Sequence, residues 1–450
     1  MNDLSKRSAA EWLELDGRFV WHPFTQTFGA DDPLLIESAS GAVLKTEQGQ
    51  EILDCISSWW VNLFGHGHPQ VAAAIHEQAK KLEHVLFAGF THQPAIQLAE
   101  RLAMLLPESL NRVFFSDNGS TSVEVALKVA AQHWQNIQQP RQRILAFEGG
   151  YHGDTFGAMA AGRGSGFFDT WNSWLMNVDL IPYPETWMDD PTVEEKEQAT
   201  LDALSVYLDK HGRDTLAMIM EPLVQGASGM RMCRPEFVTK LVRLLREFDI
   251  LIIFDEVMTG FGRTGQNFAF QATDIQPDII CLSKGLTAGF LPMAVTVIDQ
   301  RIYGSFQFDS PQAMFCHGHS YTANPLGCAA ALASMDLLQK AETSDNWRRI
   351  QTAHLQGLDQ ASQISGATKR RNCGTIAAVD LATDQGKYHG ELAKTLKAWF
   401  REENELVNGV LIRPLGNVIY LMPPYCMTDQ QLETAWQAVH LTIERHSTKV

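Results

Sequence analysis

No stretch of this sequence approaches the roughly eighteen uninterrupted apolar residues that a membrane-spanning helix needs. Cysteine is sparse: Cys55, Cys233, Cys281, Cys316, Cys328, Cys373 and Cys426 are scattered and never fall in C-x-x-C spacing. That pattern offers no disulfide framework and no zinc site, and it suits a reducing compartment. The first residues, MNDLSKRSAAEWLELDG, lack the apolar core of a secretory signal, so the expectation is a soluble, cytoplasmic chain. Positive charge is in deficit, with 36 Lys and Arg against 52 Asp and Glu and a net charge of −16. So acidic a chain repels phosphate backbones and anionic lipid, which argues against nucleic acid or membrane as partner; a local basic pocket for one anionic ligand stays open. There is no internal repeat, no low-complexity tract and no Walker loop. The glycine-rich Gly162–Gly166 has no strand–helix context, so it reads as a loop and not as a nicotinamide-cofactor site.

What is present is globular. The 450 residues are 45% apolar and 20% charged, enough for two to four domains, or one large core with a satellite, at roughly 100–200 residues each. The middle of the chain alternates β-rich runs with helical patterns. The runs are Arg112–Phe115, Arg143–Phe147, Leu216–Met220, Ile250–Phe254, Ile279–Leu282 and Met293–Val297; helices are expected at Thr121–Gln138 and Arg234–Glu247. Several runs are apolar throughout, the mark of strands buried on both faces in a mostly parallel sheet. Residues 65–330 are therefore expected to form a large α/β domain. Residues 1–64 and 331–450 read as parts of a smaller α+β domain. Its C-terminal part holds a strand at Thr375–Leu381, a helix at Glu391–Glu403, strands near Val410 and at Val418–Met422, and a helix from Asp429.

Ligands of such sheets sit beyond the carboxyl ends of the strands, so the residues after each run matter. ILIIF ends in Asp255-Glu256, a carboxylate at the rim that needs a cationic partner or caps a helix. IICL is followed by Lys284, a surface lysine or, if desolvated, a nucleophilic amine. RVFFS runs into Asp117-Asn118-Gly119-Ser120-Thr121, an ordinary helix cap or a phosphate cradle. RILAF leads to Gly149-Gly150-Tyr151-His152-Gly153-Asp154, where glycines flank an aromatic. Together they bring an acid, an amine, an anion cradle and an aromatic ring to one rim. Pyridoxal 5'-phosphate needs those four groups: a lysine for its aldehyde, a carboxylate for its ring nitrogen, a cradle for its phosphate and a ring to stack on.

With these residues in view, the chain resembles the class III, fold-type I pyridoxal-phosphate aminotransferases, from about residue 18 to 445. The signature is FDEVMTGFGRTG at Phe254–Gly265 with LSKGLTAGFLPMA at Leu282–Ala294, Lys284 following Asp255 by 29 residues. The resemblance implies a seven-stranded sheet in a large domain and a small domain built from both chain ends. It also makes Lys284 the cofactor-bonding lysine and Asp255 the partner of the ring nitrogen. Gly119 and Ser120 would bind phosphate, and Tyr151 and Val257 would flank the ring. Gly318, His319 and Ser320 would belong to a loop reaching the neighbouring subunit's cofactor, which implies a homodimer with shared sites.

Within the family the chain is most similar to the branch that passes the amino group of S-adenosylmethionine to 8-amino-7-oxononanoate, ping-pong, in biotin synthesis. WHPFT at Trp21–Thr25, SSWW at Ser57–Trp60, CHGHS at Cys316–Ser320 and Arg413–Tyr425 carry that likeness. Trp59 and Trp60 would then wall the methylene chain, Arg413 would grip its carboxylate with a planar fork, and Tyr420 would be a further substrate-binding residue. Phe24 replaces the branch's usual tyrosine, Ser320 its commoner threonine, and Ala288 stands where glycine is common. Rival readings are an ornithine, 4-aminobutyrate or broad-amine aminotransferase, an aminomutase, an enzyme taking lysine as donor, and a non-catalytic descendant of the fold.

Overall fold

In the computed structural model, which describes residues 7–383, 391–400 and 409–447, the centre of the chain is a seven-stranded sheet. Its order is Leu110–Ser116, Ala294–Asp299, Ile279–Leu282, Leu251–Asp255, Thr215–Met220, Arg143–Phe147 and Asp179–Ile181. Neighbours pair in parallel except that Ala294–Asp299 runs antiparallel to the strands on either side. The continuous apolar runs have a direct cause. Ile252 and Phe254 point into one core cluster, Leu251 and Ile253 into another, and all four are 1% exposed or less. A strand covered on both faces has no position for a polar residue until it leaves the sheet.

Helix Gly119–Asn136 covers one face, burying Val123, Val125, Ala126 and Val129. It begins where Asn118 takes the Thr121 N–H on its side chain while Thr121 returns a bond to the Asn118 N–H. Helix Pro235–Arg246 opens on a proline, whose missing N–H costs nothing at that position, and buries Phe237, Leu241 and Leu245.

The two chain ends share a sheet: Val410–Leu411 pairs parallel with Glu51–Asp54, itself part of a meander with Ile36–Ser40 and Val43–Thr46. A further antiparallel sheet joins Ala367–Cys373, Ile376–Leu381 and Val418–Leu421. Several strands were not legible in the sequence: the meander Ile36–Ser40, Val43–Thr46 and Glu51–Asp54, the short pair Val224–Gln225 and Arg231–Met232, and Asp179–Ile181 and Ala367–Cys373. Asp179–Ile181 has only three residues. Ala367–Cys373 reads ATKRRNC, and its buried Arg371 is tolerated because Asp380 pairs with it at 2.7 Å. The helix expected at Glu391–Glu403 is seen as Glu391–Trp399; residues 401–403 lie outside the described residues.

Candidate active site

Parallel pairing sets the central geometry. Asp255 is the last residue of its strand and lies opposite Cys281, so Ser283 and Lys284 leave the neighbouring strand at the same rim. Asp255 is 4% exposed. One of its carboxylate oxygens accepts from the Val257 N–H at 3.0 Å, and the other lies 2.8 Å from His152 Nδ1. Lys284 has φ +45°, a conformation disfavoured for a side-chain-bearing residue and typical of a position held by its surroundings. Its Nζ sits 4.6 Å from the centroid of the Trp60 ring. Burial pulls its pKa from 10.5 to about 8, although the nearby carboxylates of Asp255 and Glu221 hold it up.

Two further strand ends close the site. Leu110–Ser116 delivers Asn118, Gly119 and Ser120; Arg143–Phe147 delivers the loop with Tyr151, His152 and Gly153. These residues, with Trp60, Glu221, Asp255, Val257 and Lys284, line a cavity of about 400 Å³. Steric room is tight at the cradle. A Cβ on Gly119 would come within 2.8 Å of a Val257 methyl carbon, and one on Gly153 within 2.6 Å of the Ser120 Cβ. Ser120 Oγ accepts from the Asp154 N–H at 3.0 Å, and the Tyr151 hydroxyl donates to Asp154 at 3.0 Å. Burial and the adjacent Asp154 carboxylate push the Tyr151 phenol well above its ordinary pKa, so it stays neutral.

The donor set fits pyridoxal phosphate: a helix N-terminus with leftover N–H groups for a phosphate, a carboxylate for a ring nitrogen, an enclosed amine for an aldehyde, and glycines where a side chain would intrude. A second station lies alongside. The Arg413 guanidinium carbon is 4.8 Å from the centroid of the Trp59 ring, and the Phe24 ring meets Trp59 edge-on at 5.4 Å. Arg413 Nε is buried with no hydrogen-bond partner among the described residues.

Of the residues singled out in the sequence, the fold brings Gly119, Ser120, Tyr151, Asp255, Val257, Lys284 and Trp60 to one cavity. Trp59 and Arg413 stand together at the neighbouring station. Tyr420 is 1% exposed and works from behind, its hydroxyl accepting from Trp60 Nε1 at 3.0 Å. Gly318, His319 and Ser320 do not line this chain's own cavity; Gly318 and Ser320 are exposed, and His319 Nδ1 lies 3.3 Å from Asp117.

Sequence reasoning assigned no role to His152 or Glu221. His152 stands inside the quoted GGYHGD motif, but its bond to Asp255 spans 103 residues. Glu221 accepts from the N–H groups of Tyr151 and Gly226 at 3.0 and 2.9 Å, and burial raises its pKa to about 7. Only its position, just after a strand, could have flagged it.

The family model for aminotransferase class III matches residues 27–443. The chain belongs to the class III aminotransferases. The adenosylmethionine-8-amino-7-oxononanoate aminotransferase of Synechococcus elongatus is 52% identical over 420 residues, covering 93% of this chain and 97% of the relative. The protein of the same name from Anoxybacillus flavithermus is 36% identical over 430 residues, 94% of each. Among solved structures, the enzyme of that name from Methanocaldococcus jannaschii superposes with a TM-score of 0.88 at 30% identity, covering 98% of this chain and 100% of that one. An amine transaminase from an uncultivated Pseudomonas species, with pyridoxal phosphate bound, gives 0.88 at 30% identity over 95% and 98%. In this class III aminotransferase, Ala288 sits at φ +54°, left-handed backbone that glycine would adopt more readily.

Proposed function

We propose that the chain uses pyridoxal 5'-phosphate to move the amino group of S-adenosylmethionine to the ketone of 8-amino-7-oxononanoate, giving 7,8-diaminononanoate for biotin synthesis. The observation that carries this reading is the convergence of the enclosed Lys284 amine and the buried Asp255 carboxylate on one cavity, with the Trp59–Arg413 station beside it. The names of the cyanobacterial and archaeal relatives support the substrate pair.

When bound, the cofactor supplies an aldehyde for amines and a ring that draws electrons from the carbon under attack. Lys284 would hold that aldehyde, then act at the substrate's α-carbon, its Nζ taking up and returning the proton. A pKa of about 8 leaves roughly a tenth of the amine neutral at pH 7, enough for a base that is also an acid. Asp255 would accept from the ring nitrogen while Val257 N–H and His152 keep its carboxylate in place. Gly119 and Ser120 would hold the phosphate, and Tyr151 and Val257 would flank the ring. Trp59, Trp60 and Tyr420 would form or back the wall for the methylene chain, and Arg413 would bind its terminal carboxylate. Gly318, His319 and Ser320 would serve the site of a second copy, making the enzyme a homodimer, working in the cytoplasm.

The test is a half-reaction. S-adenosylmethionine should bleach the visible absorbance of the yellow holoenzyme, and 8-amino-7-oxononanoate should restore it. Bleaching by 4-aminobutyrate and none by S-adenosylmethionine would favour the broad-amine reading, which the Pseudomonas structure supports. Bleaching by lysine alone would move the donor, not the acceptor.

A further inference from the structure

Four consecutive residues, Ser57, Ser58, Trp59 and Trp60, have φ of +52°, +43°, +70° and +73°. Left-handed backbone crowds Cβ against the following carbonyl, so L-residues enter it singly; a run of four is held there by its surroundings. The run spans both stations of the site. Trp60 lies against the Lys284 amine, Trp59 against the Arg413 guanidinium. The turn sends one of two adjacent indoles to Lys284 and the other to Arg413.

The ends of the run are tied by Ser57 Oγ donating to the Met422 carbonyl at 2.7 Å and by Arg263 donating to the Trp60 carbonyl at 3.4 Å; its middle is restrained by a buried carboxylate outside the cavity. Asp54 is fully buried; it accepts from the Ile56 N–H at 3.1 Å and from the Ser58 hydroxyl at 2.9 Å. His66 Nε2 lies 2.9 Å from the oxygen that Ser58 uses. The backbone of His66 is itself tied to Gly41 in both directions. A carboxylate buried this far needs hydrogen-bonding partners to stay in place, and His66 is the one of the three that comes from outside the Asp54–Trp60 segment.

We propose that the Asp54–His66 pair is a positioning device that clamps Ser57–Trp60 in its left-handed turn, and thereby sets affinity for the long-chain substrate. The proposal rests on the reading of Trp59 and Trp60 as the substrate wall.

His66→Phe removes the donor. It should raise KM for 8-amino-7-oxononanoate about tenfold, with kcat within about twofold and the cofactor's absorbance unchanged. His66→Gln keeps an N–H for Asp54 and should recover most of that loss. Ser58→Gly should be milder than Ser58→Ala: both lose the hydroxyl that donates to Asp54, but once that tie is gone only alanine keeps a Cβ that resists positive φ. This second pair holds if His66→Phe does not fold. An unchanged KM in His66→Phe, or alanine tolerated as well as glycine at position 58, overturns the clamp. So does a crystal structure of His66→Phe with Ser57–Trp60 still left-handed. That last readout needs no substrate: if the wild-type enzyme ignores 8-amino-7-oxononanoate, the substrate reading falls and the handedness of the turn still tests the clamp.

Discussion

Lys284 and Asp255 illustrate how much rests on single side chains. Lys284→Ala should abolish both half-reactions while leaving the fold intact, checked by turnover and circular dichroism. Arg413→Ala should raise KM for the carboxylate-bearing acceptor by roughly 10- to 100-fold, the worth of a charge-assisted fork at about 1.5–3 kcal/mol. KM for a donor that does not use that fork should move little. Phe24 already touches Trp59, so Phe24→Tyr adds a hydroxyl at the mouth of the station without new bulk in the core. It should lower KM for the amino donor severalfold, by about one hydrogen bond. At this scale the sequence was informative because reactive side chains announce themselves at strand ends. It was silent on His152, whose partner lies 103 residues away.

At the scale of elements, strand ends and helix starts position everything. Helix Gly119–Asn136 starts where Asn118 caps it, and the missing Cβ at Gly119 lets Val257 close over the cradle. Gly119→Ala should therefore weaken cofactor binding by about tenfold, near 1.4 kcal/mol, measured by dialysis and the loss of visible absorbance. Ala288 points the other way. Its left-handed φ suits glycine, so Ala288→Gly should stabilise the protein by up to roughly 1 kcal/mol, seen as a higher melting temperature. The strand ladder was readable because strands buried on both faces stay apolar. Ala367–Cys373 was not, since its buried Arg371 is accommodated by tertiary contacts, Asp380 on the paired strand and the Met230 and Gly229 carbonyls.

For the whole molecule, burying an amine links stability to pH. The folded pKa of Lys284 is about 8 against 10.5 for free lysine. Between those values the unfolded chain binds more protons, so stability rises with pH across that window. In cofactor-free protein Lys284→Met should stabilise by up to roughly 3 kcal/mol at pH 7 and by almost nothing at pH 10.5, compared by urea unfolding. Glu221 has the opposite sign: its pKa, raised to about 7, makes stability fall as pH climbs from 4.5 to 7. The proposed shared site has its own test. Lys284→Ala and Ser320→Asp chains, each inactive alone, should regain activity when mixed if Ser320 serves the partner, because one of the two sites in the mixed dimer is then intact. No recovery would place Ser320 with its own chain.

The sequence alone determined the kind of chemistry: a lysine and an aspartate after apolar strands, a capped helix and a glycine-flanked tyrosine, because these depend on residue type and local order. Only the tertiary structure decided how they are tuned. The Lys284 pKa follows from what encloses it, the aim of Trp59 and Trp60 from a left-handed turn held by Asp54 and His66, and the isolation of Gly318–Ser320 from their own cavity from where the loop packs. Desolvation and backbone handedness are set by distant contacts, and such contacts leave no spacing to read along the chain.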